Sequence, residues 1–207
     1  GNILLDSIDG SPTGHVLLSA LNGVVMDNTL EDLANVAGAF LSIDSLSVGS
    51  TTGSDFVEVS VANLSVKTSG SAGHVAINQV ESGGDLQIDS VLVDGASNNG
   101  NVVIRVLGGS LTISESGSGV TLSGTGNVLL EADSSISILQ AVALNGGQIS
   151  VLAKEDINIG TGARVSVIED DSIDVSATNG DIAMSATSGL SSDSGNIRVF
   201  GGNDISV

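Results

Sequence analysis

Acidic side chains are the residues of this sequence whose types and spacing best suit chemistry, and that chemistry is calcium binding. The chain of 207 residues has 24 Asp and Glu against 5 Lys and Arg, a formal net charge of −19 at pH 7. Calcium takes about six to eight oxygen ligands, many of them carboxylates. We predict a calcium site at the densest acidic cluster: Glu169, Asp170, Asp171 and Asp174. The competing interpretation is a solvated face whose charge keeps the protein soluble.

Residues suited to other metal sites or to catalysis are few. The chain has no Cys and 2 His, which are His15 and His74, each directly after a glycine. Zinc sites are built from about four ligands, mostly Cys and His, so we interpret both His as surface turn residues. The sequence has no Gly-x-Ser-x-Gly elbow, no phosphate-binding loop and no dinucleotide-binding glycine motif. We therefore predict that the protein is not an enzyme.

One alternative stays open, a carbohydrate-active protein that is either a polysaccharide lyase or a glycan-binding module. A lyase would need a groove in which acids and bases converge, because proton transfer requires both. Aromatic residues, which commonly stack on sugars, make up only 1% of the chain. The basic residues are scattered along the sequence: Lys67, Arg105, Lys154, Arg164 and Arg198. The same scatter argues against nucleic acid as a partner, because binding to phosphates needs clustered cations.

A short repeat positions these side chains. Its unit is a glycine, a polar residue and then two apolar residues separated by one position. Nine copies begin at Gly1, Gly14, Gly73, Gly84, Gly100, Gly126, Gly147, Gly180 and Gly195. Alternation with a period of two indicates a strand with one buried face. Repeated short strands separated by glycine turns are typical of a β-solenoid, in which each coil stacks on the next.

We therefore predict an all-β fold, a right-handed parallel β-helix of about eight or nine coils with roughly 20 to 27 residues each. Because 41% of the residues are hydrophobic but 1% are aromatic, we expect a narrow core filled by aliphatic side chains. The predicted inward residues are Val57, Val59, Leu111, Ile113, Ile173 and Val175, and the outward ones between them are Glu58, Thr112 and Asp174. A β-sandwich is the alternative, and it would require antiparallel hairpins.

One segment lacks this alternation. Asn28 followed three residues later by Glu31 resembles a capping box, and Leu30, Leu33 and Ala37 fall on one face of a helix. We predict a short helical insertion near residues 28–38. Insertions in solenoids lie in loops on one side of the molecule.

Three stretches in the second half of the chain share one extended motif. They are Gly-Asn-Val-Leu-Leu-Glu-Ala at 126–132, Gly-Gln-Ile-Ser-Val-Leu-Ala at 147–153 and Gly-Asn-Ile-Arg-Val at 195–199. In these residues the chain resembles the β-helical repeat region of filamentous haemagglutinin-type proteins, which are very large bacterial surface adhesins. The resemblance implies a right-handed β-helix, an extracellular or bacterial cell-surface location, and a role as a rigid stalk or adhesin segment. It brings no catalytic residues.

The ends of the sequence carry a further expectation about its context. The chain opens on Gly1 and closes at Val207 inside an alternating Ile-Ser-Val stretch. We expect residues 1–207 to be a single solenoid segment of a much larger protein, so that the remainder of the parent chain is one partner. The other expected partner is a glycan or a protein on a host or neighbouring cell. No run of about 18 apolar residues occurs, so we expect no membrane insertion.

Overall fold

The chain folds as the predicted right-handed parallel β-helix, a β-solenoid of about 8 turns. The computed structural model describes residues 1–29, 33–50, 55–80, 82, 84–94 and 99–207. Every strand pairing within these residues is parallel. The antiparallel pairing that a β-sandwich requires is therefore not found there.

The solenoid is built from 21 strands within the described residues. They are β1 (Ile3–Leu5), β2 (Ile8–Asp9), β3 (His15–Asp27), β4 (Val36–Val48), β5 (Val57–Thr68), β6 (Val75–Gln79), β7 (Leu86–Val93), β8 (Val102–Val106), β9 (Leu111–Ile113), β10 (Gly119–Leu122), β11 (Val128–Ala132), β12 (Ile136–Ile138), β13 (Val142–Leu144), β14 (Ile149–Ala153), β15 (Ile157–Ile159), β16 (Arg164–Val167), β17 (Ile173–Ala177), β18 (Ile182–Met184), β19 (Gly189–Ser192), β20 (Ile197–Gly201) and β21 (Ile205–Ser206).

The later coils are regular, with three short strands that each belong to one of three sheets. The first sheet contains β6, β8, β11, β14, β17 and β20, the second β9, β12, β15, β18 and β21, and the third β10, β13, β16 and β19. Earlier coils use longer strands of 12 or 13 residues, β3, β4 and β5. One strand, β7, pairs with β9 through its first half and with β10 through its second.

Ladders of similar side chains run along the axis of the solenoid. One ladder has nine rungs in continuous register: Ile3, Val25, Val48, Val75, Val102, Val128, Ile149, Ile173 and Ile197. Across all the ladders, residues paired between neighbouring coils are separated by 20 positions at the least, from Val57 to Ile77, and by 29 at the most, from Val91 to Val120. This range is wider than the predicted 20 to 27 residues, because the segments between strands differ in length. The pairings of β3 with β4 and of β5 with β7 also contain a register shift.

The core is aliphatic, as the near absence of aromatic residues predicts. The buried cluster contains only Val, Ile, Leu and Ala, and it extends from Leu5 to Ile182. All six predicted inward residues are buried. Burial of one such Val, Ile or Leu side chain contributes about 1.5–3 kcal/mol. Of the three side chains predicted to face outward, Thr112 and Asp174 are half-buried, whereas Glu58 is buried with 3% exposure.

Close stacking of the coils explains the glycine of the repeat. A Cβ atom added to Gly126 would lie 2.0 Å from the carbonyl oxygen of Gly100, one coil earlier. At Gly147 the added Cβ would lie 2.2 Å from the carbonyl oxygen of Gly126, and its φ of +92° is in the region that favours glycine. These positions accept only glycine because the backbone of the neighbouring coil occupies the space of a side chain.

The helical insertion predicted near residues 28–38 is wrong for the described part of that segment. Residues 28, 29 and 33–35 are not helical, and Val36 already begins β4, whereas residues 30–32 lie outside the described residues. Asp27 Oδ1 accepts 2.8 Å hydrogen bonds from the backbone N–H of Thr29 and from the side-chain amide of Asn35. Asp27 therefore ties the two ends of the segment together without a helix.

Pairing between coils is the physical reason that the local helical signal fails. The backbone N–H of Asn35 donates to the carbonyl oxygen of Glu58 at 2.7 Å, and Asn35 Oδ1 accepts from the N–H of Glu58 at 2.8 Å. Asn35 is fully buried, at 0% exposure. Non-local hydrogen bonds and burial outweigh a helix propensity of a few tenths of a kcal/mol per residue.

Candidate functional site

The acids of the predicted calcium site occupy a turn of the solenoid and the strand that follows it. Glu169, Asp170 and Asp171 lie between β16 and β17, and Asp174 is the second residue of β17. Glu169 and Asp170 are exposed, whereas Asp171 and Asp174 are half-buried. The structure thus places three carboxylates at a corner and the fourth on the outer surface of the first sheet.

Two of these four carboxylates already have protein partners. Asp171 Oδ2 accepts a 2.6 Å hydrogen bond from the backbone N–H of Gly147, in the preceding coil. Asp174 is in register with Arg198 of the next coil, whose Nε donates to Oδ1 at 2.8 Å and whose Nη2 donates to Oδ2. The hydrogen bond with Asp174, and then the attraction between the two charges, raise the pKa of Arg198 above its ordinary value.

No group of three or more Asp, Glu or His side chains within the described residues is arranged to hold a metal ion. A calcium ion at Asp174 would compete with the two hydrogen bonds from Arg198. A calcium ion at Asp171 would compete with the Gly147 N–H. Calcium binding by Glu169, Asp170, Asp171 and Asp174 stays a prediction, and these partners define what the ion must displace.

The two His side chains make separate contacts. The His15 ring stacks on Phe40, its neighbour in the next coil, with ring centroids 5.2 Å apart and an interplanar angle of 23°. His74 Nδ1 accepts a 3.1 Å hydrogen bond from the backbone N–H of Asn101. Each His therefore links its own coil to the next one.

Polar residues in the turns form two ladders that sequence reasoning did not identify. In the turn before the first sheet, Asn101 Oδ1 accepts from the backbone N–H of Asn127, and Asn127 Oδ1 accepts from that of Gln148, each at 2.8 Å. Each side chain thereby supplies an acceptor to the equivalent residue one coil further on. The sequence signal was present, since these residues are the polar second position of the repeat.

The second ladder lies in the turn before the second sheet and contains several acids. Asp156 Oδ1 accepts from the backbone N–H of Asp181 at 2.8 Å, and Asp181 Oδ1 accepts from that of Asp204 at 3.0 Å. In the same way, Asp85 Oδ1 accepts from the backbone N–H of Ser110 at 2.8 Å. Three of the acidic residues therefore have a structural use, because they accept backbone N–H groups that point along the solenoid axis.

The outer surface of the first sheet differs in composition from the other two sheet surfaces. We define the first-sheet face as the outward side chains of β8, β11, β14, β17 and β20 together with the residue directly after each strand. It contains a cluster of large aliphatic side chains: Val103, Leu107, Leu129 and Leu152. On the second sheet the outward residues within the strands are polar or small: Thr112, Ser137, Asn158, Ala183 and Ser206. Apolar Leu139 and Val207 directly follow two of those strands.

All three ion pairs between described residues lie on the first-sheet face. Arg105 Nε is 3.0 Å from Glu131 Oε2, Lys154 Nζ is 2.7 Å from Asp133 Oδ1, and Arg198 pairs with Asp174. The Arg105 guanidinium also lies 5.1 Å from the centroid of the Phe56 ring. Such exposed pairs contribute only about 0–1 kcal/mol each to stability, so their main effect is to neutralise this surface.

Shallow grooves run across the first-sheet face. One groove of about 530 Å³ is lined by Glu131, Leu152, Lys154, Ser176 and neighbouring residues. A second, of about 270 Å³, is lined by Val103, Leu129, Leu152 and the amide ladder. Leu152 lines both grooves, so the two grooves are adjacent on this surface.

Comparison of the chain with protein-family models, with curated proteins and with solved structures finds no match. The resemblance to filamentous haemagglutinin-type repeats therefore depends on the sequence motif alone. Within the described residues no helix has the length and apolarity needed to cross a membrane. The parallel β-solenoid itself is established by the strand pairing.

Proposed function

We propose that this chain is a rigid structural or adhesive module of a large secreted or cell-surface bacterial protein, acting as a stalk or as an adhesin segment. The observation that carries the proposal is the nine-rung ladder from Ile3 to Ile197, which runs without a break through the solenoid. Eight steps of about 4.8 Å make this ladder roughly 38 Å long. A rod with one continuous core transmits force and holds its two ends apart.

The surface of the rod supports the same proposal. Arg105 pairs with Glu131 and Arg198 pairs with Asp174, so these charges neutralise one another across neighbouring coils. A stalk or adhesin needs a stable shape and a surface for contacts, and it needs no reactive group.

The rigidity expected of a stalk can be measured first, by hydrogen–deuterium exchange. We expect the amides of β11, β14 and β17 to exchange with deuterium only through global unfolding, since they lie in ladders paired on both sides. Exchange of these amides as rapid as that of the exposed turns would contradict a rigid module.

Adhesion is tested with beads that carry the purified chain. The beads are added to cells and to a panel of immobilised glycans, and beads coated with heat-unfolded chain are the control. Saturable binding that soluble folded chain competes away assigns an adhesive role to this segment. Binding no greater than that of the control beads assigns a spacer role, with the partner bound elsewhere in the parent protein.

The second candidate is a carbohydrate-active β-helix, favoured by the grooves on the first-sheet face. Glu131 lines the larger groove, and its Oε2 lies 3.0 Å from Arg105 Nε. If the chain were a polysaccharide lyase, it would depolymerise an acidic polysaccharide and produce unsaturated sugar ends that absorb ultraviolet light. Such a product, lost in the variant Glu131→Gln, would replace the structural proposal with an enzymatic one.

A further inference from the structure

We propose that Asn179 is a site of spontaneous covalent modification, at which the side-chain amide is lost as ammonia and a carboxylate takes its place. The reaction needs only water and an asparagine whose next residue offers an accessible backbone nitrogen. Glycine is the most favourable next residue, because it has no side chain to shield that nitrogen. This inference does not depend on the proposed function, since the reaction is a property of one turn.

Three Asn-Gly pairs lie within the described residues, and two of them occupy comparable turns. They are residues 22–23 inside β3, residues 145–146 between β13 and β14, and residues 179–180 between β17 and β18. Asn145 and Asn179 are both exposed. Local sequence and exposure therefore do not distinguish the two turn asparagines, and only their hydrogen bonds do.

Hydrogen bonds to the preceding coil restrain the pair at 145–146. Asn145 Nδ2 donates to the carbonyl oxygen of Ser123 at 2.8 Å, and the backbone N–H of Gly146 donates to the carbonyl oxygen of Gly124 at 3.2 Å. The leaving group and the attacking nitrogen are thus both engaged, each with a different acceptor. Both bonds must break before the Gly146 nitrogen can reach the side chain of Asn145.

The pair at 179–180 has neither restraint. Within the described part of the chain, no group accepts a hydrogen bond from the Gly180 N–H, and none bonds to the side chain of Asn179. The bonds that Asn179 does make use its backbone: its N–H donates to the Lys154 carbonyl oxygen at 2.9 Å, and its carbonyl oxygen accepts from Asn203 Nδ2 at 2.8 Å. Most backbone N–H groups of a folded protein have a partner, so this turn leaves available the one nitrogen that the reaction uses.

The chemical step is an intramolecular displacement, favoured because both reacting groups belong to adjacent residues. The Gly180 nitrogen attacks Cγ of Asn179, the new C–N bond closes a five-membered imide, and the bond from Cγ to Nδ2 breaks. Nδ2 leaves as ammonia and takes the proton that the backbone nitrogen gives up. Water then opens either C–N bond of the imide, which yields aspartate or, with one extra carbon atom in the main chain, isoaspartate.

The position of Asn179 makes the isoaspartate product disruptive. Its backbone bonds to both neighbouring coils, through Lys154 on one side and Asn203 on the other. A main chain lengthened by one carbon atom shifts the atoms that make these bonds. We therefore expect isoaspartate at position 179 to loosen the last coil, including β21.

Ageing of the full folded chain in warm, mildly alkaline buffer tests the proposal, with samples digested by trypsin and analysed by mass spectrometry. The few basic residues place the two turns in separate tryptic peptides, 106–154 and 165–198. We expect Asn179 to convert at least about tenfold faster than Asn145, since two hydrogen bonds at 145–146 must break first. In the urea-unfolded chain these bonds are absent, so the two rates should become similar.

Asn179→Gln is the matched control. It keeps an exposed amide but would have to close a six-membered ring, which forms far more slowly, so ageing should leave position 179 unmodified. After ageing, deuterium exchange at residues 203–206 should rise in the wild-type chain and stay constant in Asn179→Gln. Circular dichroism before ageing confirms that both proteins are folded.

Two results would overturn the proposal. One is conversion of Asn145 as fast as that of Asn179 in the folded chain, which would mean that the hydrogen bonds at 145–146 do not protect. The other is an Asn179 that stays intact in the folded chain but converts in urea, which would mean that the turn holds its side chain away from the Gly180 nitrogen.

Discussion

Replacing Gly126 by alanine tests the close stacking of coils on which the whole fold depends. The added methyl group would lie 2.0 Å from the carbonyl oxygen of Gly100, whereas Cβ atoms essentially never approach within 3.0 Å of another heavy atom. The obstacle is backbone, so two neighbouring coils must separate locally by about 1.0 Å, the difference between these distances. Overpacking of this kind costs about 1–3 kcal/mol.

The assay is thermal unfolding followed by circular dichroism of the β-sheet signal. For a chain of this size, 1 kcal/mol corresponds to a Tm change of about 2–4 °C, so we expect Gly126→Ala to lower the Tm by about 2–12 °C. Gly189→Ala is the matched control, because the added Cβ at Gly189 meets no atom within 4 Å and its φ is not in the left-handed region. Alanine there restricts only the unfolded chain, so the Tm should stay the same or rise slightly.

Equal Tm values for Gly126→Ala and Gly189→Ala would refute the reasoning. They would mean that the Gly100 carbonyl oxygen lies further from a Cβ atom at position 126 than the 2.0 Å of the structure. The explanation of the repeat glycine as a steric requirement of stacking would then have to be abandoned.

Three further predictions concern the core, the turn ladder and calcium. Ile149→Ala removes a fully buried rung and should cost about 2–5 kcal/mol in urea unfolding, while Ser150→Ala on the outer surface should change stability by less than about 0.5 kcal/mol. Asn127→Ala leaves the Gln148 N–H without its side-chain acceptor and should cost about 0.5–1.5 kcal/mol in the same assay; no loss would show that water replaces the bond. If calcium binds the acidic turn, millimolar CaCl₂ should raise the Tm, and Asp171→Asn should abolish that rise while keeping an oxygen for its backbone partner; an unchanged Tm in the wild-type chain contradicts the calcium prediction.

The failed helix prediction shows where local reasoning stops being sufficient. The spacing of Asn28, Leu30, Leu33 and Ala37 does favour a helix by itself. What it cannot report is that Asn35 reaches the backbone of Glu58, 23 residues further on. A short isolated helix is marginal in water, and a buried ladder position outweighs it.

Much of the fold was determined by the sequence alone, because alternation and glycine placement are local properties. Period-two alternation separates the inside of a strand from its outside, and recurring glycines mark the corners, so the parallel β-helix and residues such as Leu111 and Ile173 could be predicted. Alternation failed at Glu58, which it placed outside and which the structure buries. Only the tertiary structure decided which outward side chains are neighbours. Arg198 meets Asp174 across 24 residues, and Arg105 meets Glu131 across 26. Coils differ in length between 20 and 29 residues, so spacing in the sequence does not reveal which side chains become neighbours. The ion pairs of the first-sheet face therefore exist only in the register that stacking of the coils selects.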